Sequence, residues 1–293
     1  MLARVDGQTI TARQVERELD ALLKNRPTET GTRESLRGHT LAQLIKRHLV
    51  LQYLARNKSG ASPEDVELAV RRIVKQLQQQ KLTLAEYLKR SGQTEGELRH
   101  TLAWQLGWER FLERYLTDQN LERYFGQHRR DFDGTELRVA HILFAVEPRG
   151  DRAATEKALA RARDVLAQIH TGTLSFADAA RQHSVAPTGQ RGGDIGFIAR
   201  RQPMPESFSR AAFALERGQT SAPVVSPFGV HLIQCLEIKP GSQSWEQTRG
   251  ELERAVTEHL FHWAAGQQYP QSSVELSAGA PLREFRPDPP APP

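Results

Sequence analysis

The sequence predicts an α+β protein, on three observations. Residues 1 to 126 repeat apolar side chains at helical spacing. Residues 136 to 240 alternate strand-like runs with helices, and residues 244 to 269 return to helix. The middle segment therefore holds a small, largely antiparallel sheet, and the segments on either side are helical.

Each element has its own signal. Val5 to Ile10 reads as a short strand with a tight Asp6-Gly7 turn. Thr11 starts a helix, with Gln14 at capping-box spacing and Val15, Leu19, Leu22 and Leu23 on one face. A second helix carries Leu41, Leu44, Ile45, Leu49 and Leu54 inward. Ser62-Pro63-Glu64-Asp65 opens a third with a cap, a proline at the first position and acid in the first turn. Thr83 with Glu86 and Thr94 with Glu97 mark two more starts. The last of these helices carries Trp104, Trp108 and Phe111, aromatic residues at helical spacing that are expected in the core. In the middle segment, Leu137 to Phe144 is a strand and Ala153 to His170 an amphipathic helix ended by Gly172. Ser175 opens a short helix, and Gly192-Gly193 turns into a strand through Ile198. Pro205 to Leu215 is helical, with Phe213 and Leu215 in the core. Val224-Val225 and Val230 to Ile238 close the sheet around the Pro227-Phe228-Gly229 turn. Ser244 to Tyr269 puts Leu252, Val256, Leu260 and Trp263 on one face and is expected to pack back on the first helices. Residues 270 to 293 end in a proline-rich run and are expected to be disordered.

Composition narrows the function classes. The 293 residues are 38% hydrophobic and 26% charged, a globular balance with room for two cores. Lys and Arg exceed Asp and Glu by 40 to 35, but the surplus is spread along helices, so nucleic acid is not an expected partner. Cys235 is the only cysteine, which excludes an intrachain disulfide and a cysteine-based zinc site. It reads as a small core residue. The sequence has no run of 18 apolar residues, so no membrane-spanning helix is expected. Met1 to Gly7 lacks the apolar stretch of a signal peptide. That leaves two readings open: a cytoplasmic protein, or one whose targeting segment lies upstream.

Four segments, in order, carry a resemblance. They are Val139-Ala-His-Ile-Leu143, Gly192-Gly-Asp-Ile-Gly196, Phe208-Ser-Arg-Ala-Ala-Phe-Ala-Leu215 and Ser226-Pro-Phe-Gly-Val-His-Leu-Ile233. Together they span roughly 100 residues and resemble the parvulin family of peptidyl-prolyl cis-trans isomerases. The resemblance implies a four-stranded, antiparallel-dominated sheet with surrounding helices over residues 136–240. It also implies catalytic roles for His141 and His231, paired side by side in the sheet, and for Ser226 as their hydroxyl partner. Substrate would meet a proline cup of Ile195, Met204 and Phe208. Ile198 stands where the family often has a pocket aromatic. Ala186 stands where it usually has an Asp or Cys facing the substrate carbonyl. The Val5-Asp-Gly-Gln-Thr-Ile-Thr11 start, the helical body and the returning helix resemble the chaperone domains of SurA- and PrsA-like foldases. In that group the isomerase is inserted into an otherwise all-α chaperone domain, here residues 1–126.

The implied chemistry is rotation about an X-Pro bond. Its barrier of ~18–20 kcal/mol reflects lost amide resonance, and no bond is made or broken. Neither a cofactor nor a metal is expected. The implied partners are unfolded or nascent polypeptides containing X-Pro; a homodimer is left open. The implied location is extracytoplasmic, in the periplasm or cell envelope. Ala186 keeps an alternative alive: a non-catalytic holdase whose isomerase fold only grips proline-containing segments.

Overall fold

The computed structural model describes residues 1–23, 30–148, 151–201, 203–282 and 284–287. The chain divides into two compact units. Met1–Asn120 and Glu253–Pro293 form one, and Leu121–Leu252 the other.

The first unit begins with β1 (Ala3–Val5) and β2 (Gln8–Ile10), an antiparallel hairpin where a single strand was expected. Asp6 and Gly7 both take positive φ, 44° and 82°, which is the two-residue turn that an Asp-Gly pair favours. The helices α1 (Ala12–Leu23), α2 (Thr30–Arg56), α3 (Pro63–Gln79), α4 (Leu84–Ser91) and α5 (Glu95–Tyr115) follow. The starts of α1, α3, α4 and α5 are those read from the caps. Ser62, Thr83 and Thr94 each hold a complete capping box, and Thr11 and Gln14 exchange the same pair of bonds. Val15 and Leu19 of α1 pack inward with Leu41, Ile45 and Leu49 of α2, all at most 1% exposed. Leu22, expected inward, is 71% exposed near the end of α1. Trp104 and Trp108 are half-buried and stack on one another at 5.3 Å. Phe261 meets both edge-on, at 5.6 and 5.9 Å.

The second unit opens with α6 (Asp118–Gln127, which starts in the first unit) and α7 (Arg129–Phe132). Next come β3 (Glu136–Phe144), α8 (Arg152–His170), α9 (Phe176–His183), β4 (Asp194–Ala199), α10 (Glu206–Phe213), β5 (Val224–Ser226) and β6 (Gly229–Lys239). The four strands form an antiparallel sheet in the order β4-β3-β6-β5. Strand alternation divides its two faces. Ala140, Ile142, Phe144, Val230 and Leu232 pack against α8 and α9. Leu137, Val139, Ile233 and Cys235 pack on the other face with Ile198, Phe208 and Phe213 of β4 and α10. Cys235 is fully buried, and burial raises its thiol pKa, as suits an inert core residue.

α11 (Arg249–Gln268) leads back into the first unit, where Leu260, Ala264 and Ala265 are fully buried. Its Trp263 meets Tyr53 of α2 edge-on at 5.4 Å. Disorder from residue 270 onward is not what the structure shows. β7 (Val274–Leu276) pairs antiparallel with β1, making a three-stranded sheet in the order β2-β1-β7. The Asp6 carboxylate accepts from Ser273 N, and Tyr269 Oη donates to Phe285 O, whose ring is 7% exposed. Backbone pairing and one buried aromatic outweigh the polar, proline-rich composition there. The closing prolines, 288–293, lie outside the described residues.

Candidate active site

The site grows from two histidines on neighbouring strands. His141 of β3 lies opposite Ile233, and His231 of β6 lies opposite Leu143, so the imidazoles are diagonal neighbours on the α10 face. Their Nδ1 atoms are 3.2 Å apart. The outer nitrogens are also engaged: His141 Nε2 with Thr188 Oγ1 at 3.3 Å, and His231 Nε2 with Ser226 Oγ at 2.7 Å. Phe228 N donates to Ser226 Oγ at 3.0 Å. The result is one hydrogen-bond chain, Thr188–His141–His231–Ser226, with every ring nitrogen used. Since one Nδ1 must donate and the other accept, the two neutral rings hold opposite tautomers, and the chain can run in either direction.

Burial keeps these rings neutral. His141 is 7% exposed and His231 1%. Burial, and then the neighbouring His141, pushes the His231 pKa down to about 4; burial lowers that of His141. Phe208 stands edge-on to both rings, at 5.7 and 5.3 Å.

The backbone enforces this placement. Gly193 sits at φ 83° and accepts from His141 N at 2.9 Å. A Cβ there would collide with the His141 carbonyl oxygen, so only glycine fits. Ser184 Oγ accepts from Leu143 N and from Ala186 N, which ties the segment bearing Ala186 to the end of β3. Arg138 grips Asp194 at 2.7 Å, while Asp194 Oδ1 accepts from Gly196 N, and this fixes the turn that bears Ile195.

The residues assigned to substrate separate into two layers. Ile195 and Met204 are half-buried, and Ala186 is half-buried beside the exposed Val185. Phe208 and Ile198, at 0% and 3% exposure, lie beneath them in the core and offer no surface to a ligand. Direct contact with substrate, expected of both, is not something this burial offers; Ile195 and Met204 pack over their cluster instead. Phe228 and Val185, 55% and 61% exposed, follow and precede the polar residues of the site in sequence. Thr188 was not anticipated. The signal for it was available, because a buried imidazole requires a partner on each nitrogen and Ser226 could serve only one end.

Comparison with known proteins follows the same division. The family described as the PPIC-type PPIase domain matches residues 141–237, and that described as the SurA-like N-terminal domain matches residues 1–112. Chaperone SurA of Alkalilimnicola ehrlichii is 39% identical over 135 residues, 44% of this chain and 30% of that protein. Chaperone SurA of Thiobacillus denitrificans is 28% identical over 247 residues, 81% of this chain and 56% of that protein. The chain thus spans about half or less of the length of these relatives. Among solved structures, the peptidylprolyl isomerase PrsA of Bacillus anthracis is 21% identical, covering 79% of this chain and 96% of its own, with a TM-score of 0.39. Residues 141–237 are thus similar to the PPIC-type PPIase domain family, and residues 1–112 to the SurA-like N-terminal domain family.

Proposed function

We propose that this chain is a peptidyl-prolyl cis-trans isomerase and folding chaperone that acts on X-Pro bonds of unfolded polypeptides outside the cytoplasm. The observation that carries the reading is the neutral, fully hydrogen-bonded pair His141/His231 under a partly open apolar cup of Ile195 and Met204. A planar amide owes its barrier to charge-separated resonance. An uncharged, apolar seat favours the twisted amide, in which that polarity is reduced, over both planar forms. About 1.4 kcal/mol of such preference gives a tenfold rate. The hydrogen-bond chain holds the cup floor in place; it moves no proton to substrate. Exposed Val185 and Phe228 offer apolar contacts to an extended chain on either side of the proline. Similarity to the SurA chaperones supports the client class and the extracytoplasmic location.

Exchange NMR on an Ala-Leu-Pro-Phe peptide tests the activity. Catalytic amounts of the chain should raise the exchange rate well above buffer. A folded protein that leaves the rate unchanged would remove the catalytic claim.

Ala186 favours a second reading, a holdase with little catalysis, since its side chain cannot hydrogen-bond. Losing one charge-assisted contact costs ~1.5–3 kcal/mol, so Ala186→Asp should gain roughly ten- to a hundredfold in rate if the natural site is impaired. Aggregation suppression that survives removal of residues 136–240 would favour the holdase.

A further inference from the structure

Beside the cup, Arg200 joins three elements of the second unit. Its Nε donates to Asp131 Oδ1 at 2.7 Å, and its two terminal nitrogens grip the Glu206 carboxylate at 2.9 and 2.8 Å. Its guanidinium lies over the Phe213 ring, 6.0 Å from the centroid. The Arg200 side chain is 13% exposed although both partners reach solvent. Position explains why this matters. Arg200 directly follows β4, which carries Ile195 and Ile198. Glu206 is the first residue of α10, which carries Phe208. Met204 lies between the two. The clamp therefore joins the ends of the two walls of the cup and fixes the span on which Met204 sits. Through Asp131 it also ties them to α7, where Arg201 covers the Phe132 ring at 5.0 Å and pairs with Glu251 at 2.9 Å. α10 has no side-chain cap at Pro205, and this grip gives its first turn a side-chain tie at Glu206.

We propose that Arg200 is a positioning residue for the proline cup, setting the distance between the β4 wall and the α10 wall and hence the place of Met204. The proposal rests on the isomerase reading. A planar fork that donates to two carboxylates at once fixes geometry in a way that a point charge cannot. Arg200→Lys therefore keeps the charge and loses the spacing.

The test uses the full chain labelled at methionine methyl carbons. Met1 and Met204 are the two methionines, so the spectrum holds two signals. Arg200→Lys and Arg200→Leu, which keep the methionine count at two, should both move the Met204 signal in the free protein. Both should also raise KM for a succinyl-Ala-Leu-Pro-Phe anilide about tenfold, with kcat held within about twofold, as expected for lost binding shared by ground and transition states. Val165→Ala, in the core on the opposite face of the sheet, is the control for general loosening. Wild-type Met204 signals and KM in both Arg200 variants would overturn the proposal. So would an equal change in Val165→Ala. A wild-type chain that neither speeds exchange nor shifts Met204 on adding peptide defeats the isomerase reading itself; the clamp is then judged on the free-protein Met204 signal of the Arg200 variants alone.

Discussion

Each imidazole at the site is held at both ends, and the two ends were not equally legible. His141, His231 and Ser226 stand in contiguous motifs, so the sequence exposes them. Thr188 reaches His141 from a loop, and only the folded path of residues 184–193 brings it there. Replacing it with valine keeps the shape and strands one buried nitrogen. Thr188→Val should therefore lower stability by ~1–3 kcal/mol in chemical denaturation, with a changed His141 signal by NMR. The pH dependence follows from the depressed pKa of His231, about 4 in the fold, against ~6.5 when unfolded. A neutral buried ring contributes its full stability above pH 6.5, and that is lost as pH falls from 6.5 toward 4. His231 alone should remove about 2 kcal/mol between pH 7.5 and pH 5. Urea midpoints that do not shift over this range would contradict the buried neutral pair.

Among the elements, helix starts were the most legible feature, because a cap is a local chemical device. The boxes Ser62/Asp65, Thr83/Glu86 and Thr94/Glu97 each satisfy two backbone donors within four residues, one through the hydroxyl and one through the carboxylate. Ser62→Ala should cost about 1 kcal/mol, read as a lower urea midpoint with unchanged slope. The four-strand sheet was legible for a similar reason, since its alternation is set by β3 and β6, nine and eleven residues long. β7 was not, because three residues among serines carry no period, and its partner β1 lies at the other end of the chain. The Gly192-Gly193 pair was read as a turn, but its stricter role is close approach. Gly193→Ala should displace the His141 backbone, and amide spectra should show changes centred on residues 139–143 and 188–196. A folded variant with native His141 shifts would show that the backbone there can yield.

At the scale of the whole molecule, acid should weaken both units. In the first unit His48 and His100 stack at 4.2 Å, and burial followed by the neighbouring His100 pushes the His48 pKa to about 3. Its contribution, like that of His231, is complete above pH 6.5 and fades below it. The units differ in how the chain builds them. Leu121–Leu252 is continuous and contains its own sheet and two-faced core, so residues 121–252 expressed alone should fold cooperatively. Residues 1–120 alone should not, because they lack β7 and the buried Leu260, Ala264 and Ala265 of α11. Circular dichroism melts of the two fragments decide this. The return of the last helix could be inferred from its unmatched apolar stripe, whereas the strand after it could not. That strand also imposes an order on synthesis. β1 leaves the ribosome before its partner Val274–Leu276, which is made only after the whole second unit, Leu121–Leu252. At roughly 5–20 residues per second, the helices of the first unit wait on the order of ten seconds or more with Tyr53 lacking its partner Trp263. For that interval the first unit leaves open to water an apolar surface that its finished fold buries under Leu260, Ala264 and Ala265.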